Sequence, residues 1–486
     1  MTTVTTPEWV KHAVFYQIFP DRFARSATVA KPTFLEPWDT PPTTYGFKGG
    51  DLVGVADKLD YLKDLGISAI YFCPILQSTA NHRYHTHDYF RVDPILGGDV
   101  AFKKLLTQSH KRGIRVVIDG VFNHASRGFL QFNHMLENGR DSPYLDWFHI
   151  HDFPMNAYGG KLGYDAWWGI PALPKFNTRN PEVREFIFKA AEHWIRFGAD
   201  GWRLDVAGEI DDDSFWQEFR TRIKAINPEA YIVGEIWHDA QRWLQGDQFD
   251  AVMNYMFTRG CMGFFARDHH NSHLVDGSGV SPVVPLDARG FAHEMNRLLG
   301  LYAQSIAQVQ MNLLDSHDIS RFISYAKGDA SALKLATLFQ MTYPGAPSIY
   351  YGDEIGLAGG KDPDNRRAFP WQARDTWDDS LLAWFKAAIQ LRKKFSALRT
   401  GDFRVLYAED DVLAFARVLG DEKLIVVLNA GGNDALVDVR VAQSLQILDG
   451  VVAREVFGGH AKRVVGGGML TNIKVDDRNA VVYKVG

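Results

Sequence analysis

Short apolar strands that end abruptly on charge, alternating with amphipathic helices, restrict the fold of this chain more than any other feature. The clearest instance is Asp200-Gly201-Trp202-Arg203-Leu204-Asp205-Val206-Ala207-Gly208-Glu209. Residues 201–206 read as a buried strand in which Arg203 and Asp205, two apart, point to the same side. In an open sheet that side is one face; in a closed parallel barrel it is the interior. An Arg and an Asp sharing an interior are costly unless they pair or do chemistry. This stretch alone fits a structural ion pair as well as a catalytic one, and the recurrence of the pattern separates the two.

Further strands are expected at 13–19, 68–75, 114–122, 231–237, 251–256, 309–314 and 347–351. Helical spacing separates them at 53–65, 101–112, 214–226, 291–307 and 332–341, with a last long helix at about 380–395. The helix after residue 180 carries its own punctuation: Asn180 as cap, Pro181 in the first turn, an apolar face of Val183, Phe186, Ile187, Ala190 and Trp194, and Gly198 as stop. Eight strands, most followed by a helix and without a Gly-rich phosphate loop, favour a closed (β/α)8 TIM barrel over an open doubly wound sheet. The rhythm breaks between 124 and 177, an aromatic stretch too long for an ordinary connection, which predicts a small domain inserted after the third strand. Beyond about residue 400 only strands and turns remain (413–418, 423–429, 435–439, 480–485), the pattern of a C-terminal antiparallel β-sandwich. The expected division is 1–123 and 178–398 for the barrel, 124–177 for the insertion and 399–486 for the sandwich.

Composition narrows the partners. A net charge of −5 argues against nucleic acid and anionic membranes, and no run approaches a membrane span. Two cysteines, Cys73 and Cys261, make no disulfide framework and fit a reducing compartment. The first ten residues lack a basic stretch followed by an apolar core, so the expected location is cytoplasmic.

In such barrels the chemistry sits at the C-terminal ends of the strands. Those ends carry Asp119-Gly120-Val121-Phe122-Asn123-His124, then Arg203 and Asp205, then Gly234-Glu235-Ile236-Trp237-His238, then Asp315-Ser316-His317-Asp318. Asp205, Glu235 and Asp318 thus converge on one mouth with Arg203, His124 and His317 around them. Clustered carboxylates hold a metal, share protons or face a cationic transition state. Glycoside hydrolysis supplies the last, with one carboxylate as nucleophile and a second as acid/base. A metal site would bring paired His, whereas His124 and His317 lie on well-separated strands; the loop histidines His82, His85 and His87 read as polar residues rather than zinc ligands. No catalytic metal and no cofactor are expected.

With these four blocks in this order and spacing, the chain resembles the α-amylase superfamily, glycoside hydrolase family 13, over essentially its whole length. The resemblance implies a retaining mechanism on α-glucan substrates. By position Asp205 would be the nucleophile, Glu235 the general acid/base and Asp318 the stabiliser of the transition state. Arg203 would orient and ionise Asp205, His124 and His317 would bind hydroxyls of the cleaved sugar, and Tyr84 would stack on it. Asp362 and Arg366, in Asp362-Pro363-Asp364-Asn365-Arg366, match the family's late substrate-binding pair. Beside Arg203, Asp205 is expected to stay ionised, while Glu235 on its apolar strand is expected to be partly protonated.

Val206-Ala207-Gly208-Glu209, the run from Gly234 to Asp239, and Leu173-Pro174-Lys175-Phe176-Asn177 resemble the cyclomaltodextrinase, neopullulanase and maltogenic amylase group. Glu209 and Trp237 would then lie on the leaving-group side, although Trp237 is also placed for simple packing at the barrel rim. Members of that group usually carry an extra N-terminal β domain; here the first barrel strand begins at about residue 13, which implies a monomer, or a dimer built without such a domain. Classical α-amylases tie the insertion to the barrel with calcium through a His after the nucleophile. Gly208 and Glu209 stand there instead, so despite Asn123 no calcium is expected at that site. The implied activity is hydrolysis of α-1,4 bonds in cyclodextrins, maltooligosaccharides, pullulan or starch, with an α-glucosidase or transglycosylase as the alternative. A catalytically dead binding protein would have lost the carboxylates that are present here.

Overall fold

The eight expected barrel strands all form, and all run parallel in one sheet, in a computed structural model that describes residues 4–486. They are β1 (Phe15–Ile18), β2 (Ala69–Phe72), β3 (Arg115–Gly120), β4 (Gly201–Leu204), β5 (Tyr231–Gly234), β6 (Ala251–Val252), β7 (Met311–Leu313) and β8 (Ala346–Tyr350). β8 pairs with both β1 and β7. The ring closes between β6 and β7 through a parallel bridge of Met253 with Met311, where the Asn254 N–H donates to Met311 O at 2.8 Å. Strands wrapped by helices are buried on both faces, which is why they read as continuous apolar runs rather than alternating ones.

The register aligns the strand ends. Asp119 pairs with Arg203 and Arg203 with Val233, while Gly120, Leu204 and Gly234 lie level one step on. The next residues up continue the ladder: Asp205 N–H donates to Gly120 O (3.0 Å) and Glu235 N–H to Leu204 O (2.9 Å). Asp205 and Glu235 therefore emerge from the mouth side by side.

The helix Pro181–Phe197 has the punctuation read from sequence: Asn180 accepts from Glu182 N–H, and Gly198 ends it at φ 125°. Three elements depart from expectation. The helix of 53–65 is two, Leu52–Asp57 and Leu59–Leu65, broken at Lys58. The helix of 291–307 is also two, Ala288–Gly300 and Gln304–Ala307. The strand expected to reach 256 stops at Val252 and yields to a helix, Tyr255–Phe265, capped by Asn254. That helix is buried almost all round, so its sequence has no polar stripe to betray a 3.6-residue period.

Between β3 and Pro181 the chain forms a helix, Leu130–Asn138, and single β-bridges, among them His124–Lys175 and Phe148–Phe176, around a cluster of Phe129, Phe132, Phe148 and Phe176. Beyond the barrel lie a six-stranded antiparallel sheet and a two-stranded one, Ala435–Arg440 with Met469–Val475. Alternate residues of the larger sheet face two cores: Leu413, Phe415, Leu424, Val426 and Val482 join the barrel's core, whereas Ala414, Ala416, Ile425, Val427 and Val485 pack with Val437, Val439, Leu470 and Ile473. Strands Asp402–Glu409, Val452–Phe457, Lys462–Val464 and Met469–Val475 were not legible in the sequence. Among the described residues, no helix is long and apolar enough to cross a membrane.

A fully buried arginine of the sheet, Arg417, fastens it to the barrel, and beside it Arg392 of the barrel's last helix (Asp379–Lys394) shares the acceptor Leu398 O; among the described residues the hydrogen bonds of both go to backbone carbonyls. Arg417 donates to Leu398 O and Gly401 O (both 2.8 Å) and to Thr342 O, while Arg392 donates to Met341 O, Tyr343 O and Leu398 O. Met341 and Thr342 are the last residues of helix Ala330–Thr342, so each guanidinium caps a helix C-terminus, and that of Arg417 also crosses the interface. Replacing Arg417 with Met should lower stability by about 3 kcal/mol, because the buried carbonyls of Thr342 and Gly401 lose their donor and that of Leu398 keeps only Arg392. Denaturant unfolding of the two proteins measures the loss, and a change below about 1 kcal/mol would contradict this account.

Candidate active site

Arg203 is the hub of the barrel mouth. Its Nη1 lies 2.9 and 3.0 Å from the two oxygens of Asp119 and 2.8 Å from Asp205 Oδ1. Its Nη2 lies 2.9 Å from Glu235 Oε2 and 3.8 Å from Asp318 Oδ2. One fully buried guanidinium thus serves four carboxylates, three of them the predicted catalytic set. Asp119, from β3, was read only as part of a motif, but the strand register would have placed it opposite Arg203. Tyr71 also donates to Asp119 Oδ2, at 2.8 Å.

The residue after Asp205 is strained. Val206 sits at φ 39°, ψ 45°, a left-handed conformation that a β-branched side chain rarely adopts. The turn it makes aims its N–H at Glu235 Oε2, 2.8 Å away, so that oxygen receives both a backbone donor and Arg203.

The remaining predicted residues divide into an inner and an outer set. Tyr84 lies parallel to His317 (centroids 5.4 Å apart, 2° between planes), hydrogen-bonds its Nε2, and reaches Asp119 Oδ2 at 3.1 Å. Arg366 donates from Nε to His317 O (2.9 Å), pairs with Asp362 through Nη1 (2.9 Å), and holds Nη2 3.9 Å from Asp318 Oδ1. His124 is buried; its Nδ1 lies 3.1 Å from Asn123 Nδ2, and its Nε2 has no hydrogen-bond partner among the described residues. Burial drives its pKa down to about 3, so the ring is neutral. Glu209 belongs to the rim: it pairs with Lys175 of the inserted segment at 2.9 Å and, among the described residues, makes no hydrogen bond to the Arg203 cluster. Trp237 is half-buried and stacks on Tyr255 (3.5 Å, 8°), so packing accounts for one of its faces. Trp167, stacked on His124 at 5.5 Å, joins the mouth without having been singled out from sequence, whereas Lys175 and Tyr255 stand in motifs that resemble the cyclomaltodextrinase group, Leu173–Asn177 and Gln248–Tyr255.

Comparison with known proteins decides what this arrangement is. The model of the α-amylase catalytic domain matches residues 17–378, and that of the neopullulanase-like C-terminal domain matches 403–478. The chain belongs to the α-amylase family. It is similar to a cyclomaltodextrinase of a Bacillus species (44% identity over 93% of this chain and 77% of that one) and to neopullulanase 2 of Thermoactinomyces vulgaris (44%, 93% and 76%). It also superimposes on the solved debranching enzyme of Nostoc punctiforme with a TM-score of 0.90, at 49% identity over 99% of this chain and all of that one. The protein is therefore a glycoside hydrolase of the α-amylase family, with the barrel and C-terminal sandwich expected of it.

The charge balance in this α-amylase mouth corrects one expectation. Asp205 does not simply stay ionised beside Arg203. Burial, reinforced by Glu235, Asp119 and Asp318, pushes its carboxyl up against the pull of the shared guanidinium. Burial and then the Glu235 charge likewise push Asp318 up to about 7. Protonated Asp318 belongs to the folded state, so its contribution to stability is complete below the ordinary carboxylate range and is lost as pH rises through about 7. Asp318→Asn, a mimic of the protonated form, should stabilise the fold at about pH 8, by roughly 2 kcal/mol, raising the thermal midpoint there and leaving it unchanged at about pH 4. Thermal unfolding at the two pH values checks this, and an equal shift at both would refute it.

Proposed function

We propose that the enzyme cleaves α-1,4 bonds of cyclodextrins, maltooligosaccharides, pullulan or starch by double displacement, with Asp205 as nucleophile and Glu235 as acid/base. The observation that carries this reading is the grip of one guanidinium on both carboxylates. Asp205 Oδ1 and Glu235 Oε2 are held by the two terminal nitrogens of the same guanidinium, at 2.8 and 2.9 Å, which brings to one mouth the pair of carboxyls that a retaining glycosidase needs as nucleophile and acid/base.

In this mechanism Asp205 attacks the anomeric carbon while Glu235 protonates the leaving oxygen, and a water activated by Glu235 then releases the glycosyl group. Sugar hydroxyls that donate to Asp318 favour its anion, and positive charge building at the anomeric carbon favours that of Asp205. His124 Nε2 and Asp318 Oδ2, buried and without a hydrogen-bond partner, supply the polar atoms that those hydroxyls meet. Glu209, Lys175 and Trp237 line the leaving-group side, where acceptor sugars and water compete.

Asp205→Asn and Glu235→Gln should each lower turnover of β-cyclodextrin by at least about a thousandfold. With an α-maltosyl fluoride, whose leaving group needs no acid, Glu235→Gln should still release a burst of fluoride and Asp205→Asn should not. A burst from Asp205→Asn would overturn the nucleophile assignment. Parallel digests of β-cyclodextrin, pullulan and starch test the substrate class: maltose with panose is the expected result, and glucose as sole product would move the reading to an α-glucosidase.

A further inference from the structure

β1 contributes no carboxylate to the mouth, yet its Gln17 reaches the catalytic layer. Gln17 is 1% exposed, and its strand is fixed on both sides by the pairings Gln17–Tyr71 and Gln17–Tyr350. Its amide Nε2 lies 2.8 Å from Nδ1 of His317 and 3.4 Å from the Cys73 sulfur. An amide NH2 group can only donate, so Nδ1 of His317 must be the acceptor. A neutral imidazole that accepts at Nδ1 carries its proton at Nε2.

The groups facing the ring agree with this sense. His317 Nε2 lies 3.3 Å from Asp318 Oδ2 and is hydrogen-bonded to the Tyr84 hydroxyl, which in turn reaches Asp119 Oδ2 at 3.1 Å. With the proton on Nε2, every donor in this chain finds an acceptor: Gln17 donates to His317, His317 to Tyr84 or Asp318, and Tyr84 to Asp119. With the proton on Nδ1 instead, the Tyr84 hydroxyl would be needed at Nε2 and Asp119 would lose it. The ring is fully buried near Arg203 and Arg366, so burial first and those two positive neighbours next keep it neutral.

We propose that Gln17 is a positioning residue that locks His317 in its Nε2–H form, making the ring a fixed hydrogen-bond donor toward the sugar hydroxyl shared with Asp318. A hydroxyl that accepts from His317 is left to direct its own proton to Asp318, which accepts best as the anion. Gln17 thereby fixes the direction of hydrogen bonding at the cleaved sugar. The inference rests on the proposed reading that His317 and Asp318 hold a hydroxyl of that sugar.

The test is 15N NMR of histidine-labelled enzyme, with the His317 signals assigned by their loss in His317→Ala. In the unmodified enzyme Nδ1 should resonate as a pyridine-type nitrogen and Nε2 as a pyrrole-type one, unchanged across the range where free histidine titrates. Gln17→Glu, which can only accept at that position, should reverse the tautomer or yield imidazolium. It should also lower kcat at least about tenfold, the loss of one well-aligned hydrogen bond, with KM little changed. A pyrrole-type Nδ1 in the unmodified enzyme would overturn the proposal, as would an unaltered tautomer in Gln17→Glu. The unmodified spectrum decides the tautomer even if the variant does not fold. Full turnover in His317→Ala would instead overturn the reading of the sugar site.

Discussion

One positive charge holds the whole mouth together. Arg203 rises from the interior of β4 into a position where Asp119, Asp205, Glu235 and Asp318 all lie within 4 Å of its two terminal nitrogens. A single guanidinium cannot neutralise four carboxylates, and burial of Asp119, Asp205 and Asp318 presses each toward its protonated form. That shortage of positive charge is useful for a reaction whose transition state is cationic. The sugar in flight supplies the charge the protein withholds, and the cluster is better satisfied then than in the ground state.

The barrel makes such crowding possible because its ladder is stiff. Parallel pairing of β3, β4 and β5 sets Asp119, Arg203 and Val233 at one level and lifts Asp205 and Glu235 one residue above it. The strained turn at Val206 exploits that rigidity, since a left-handed valine persists only where the surrounding structure leaves it no alternative. Its N–H and Arg203 together fix one oxygen of Glu235, leaving the other without a hydrogen bond among the described residues.

Much of this was legible in the chain because strand ends and helix caps are local signals. Asn180, Pro181 and Gly198 bracket one helix by backbone chemistry that needs no tertiary partner, and carboxylates closing apolar strands stand out against their neighbours. The elements that escaped notice lacked such contrast. Helix Tyr255–Phe265 is apolar on every side, and the strands Val452–Phe457 and Lys462–Val464 lie late in the sandwich, where polar and apolar residues alternate only weakly. Among site residues, Asp119, Lys175 and Gln17 act through contacts made across strands or with the inserted segment, and spacing along the chain carries no trace of such contacts. The charge state of Asp205 was misjudged for the same reason: its pairing with Arg203 two residues away is a local fact, but the competition for Arg203 is a tertiary one.

A mouth this charged destabilises the fold that carries it, and the compensation lies elsewhere in the molecule. The barrel core is continuous with one face of the C-terminal sheet, through Leu413, Phe415, Leu424 and Val426, so the sandwich extends the apolar volume that the catalytic end interrupts. Arg392 and Arg417 use the same chemistry in the opposite sense. At the mouth a guanidinium gathers anions whose desolvation is offset only when substrate arrives; at the sandwich interface guanidinium groups meet neutral carbonyls at helix ends, whose partial charges satisfy them permanently. The two placements separate function from stability, with anions crowded round one charge at the mouth and carbonyl-bonded charge where two layers must stay joined.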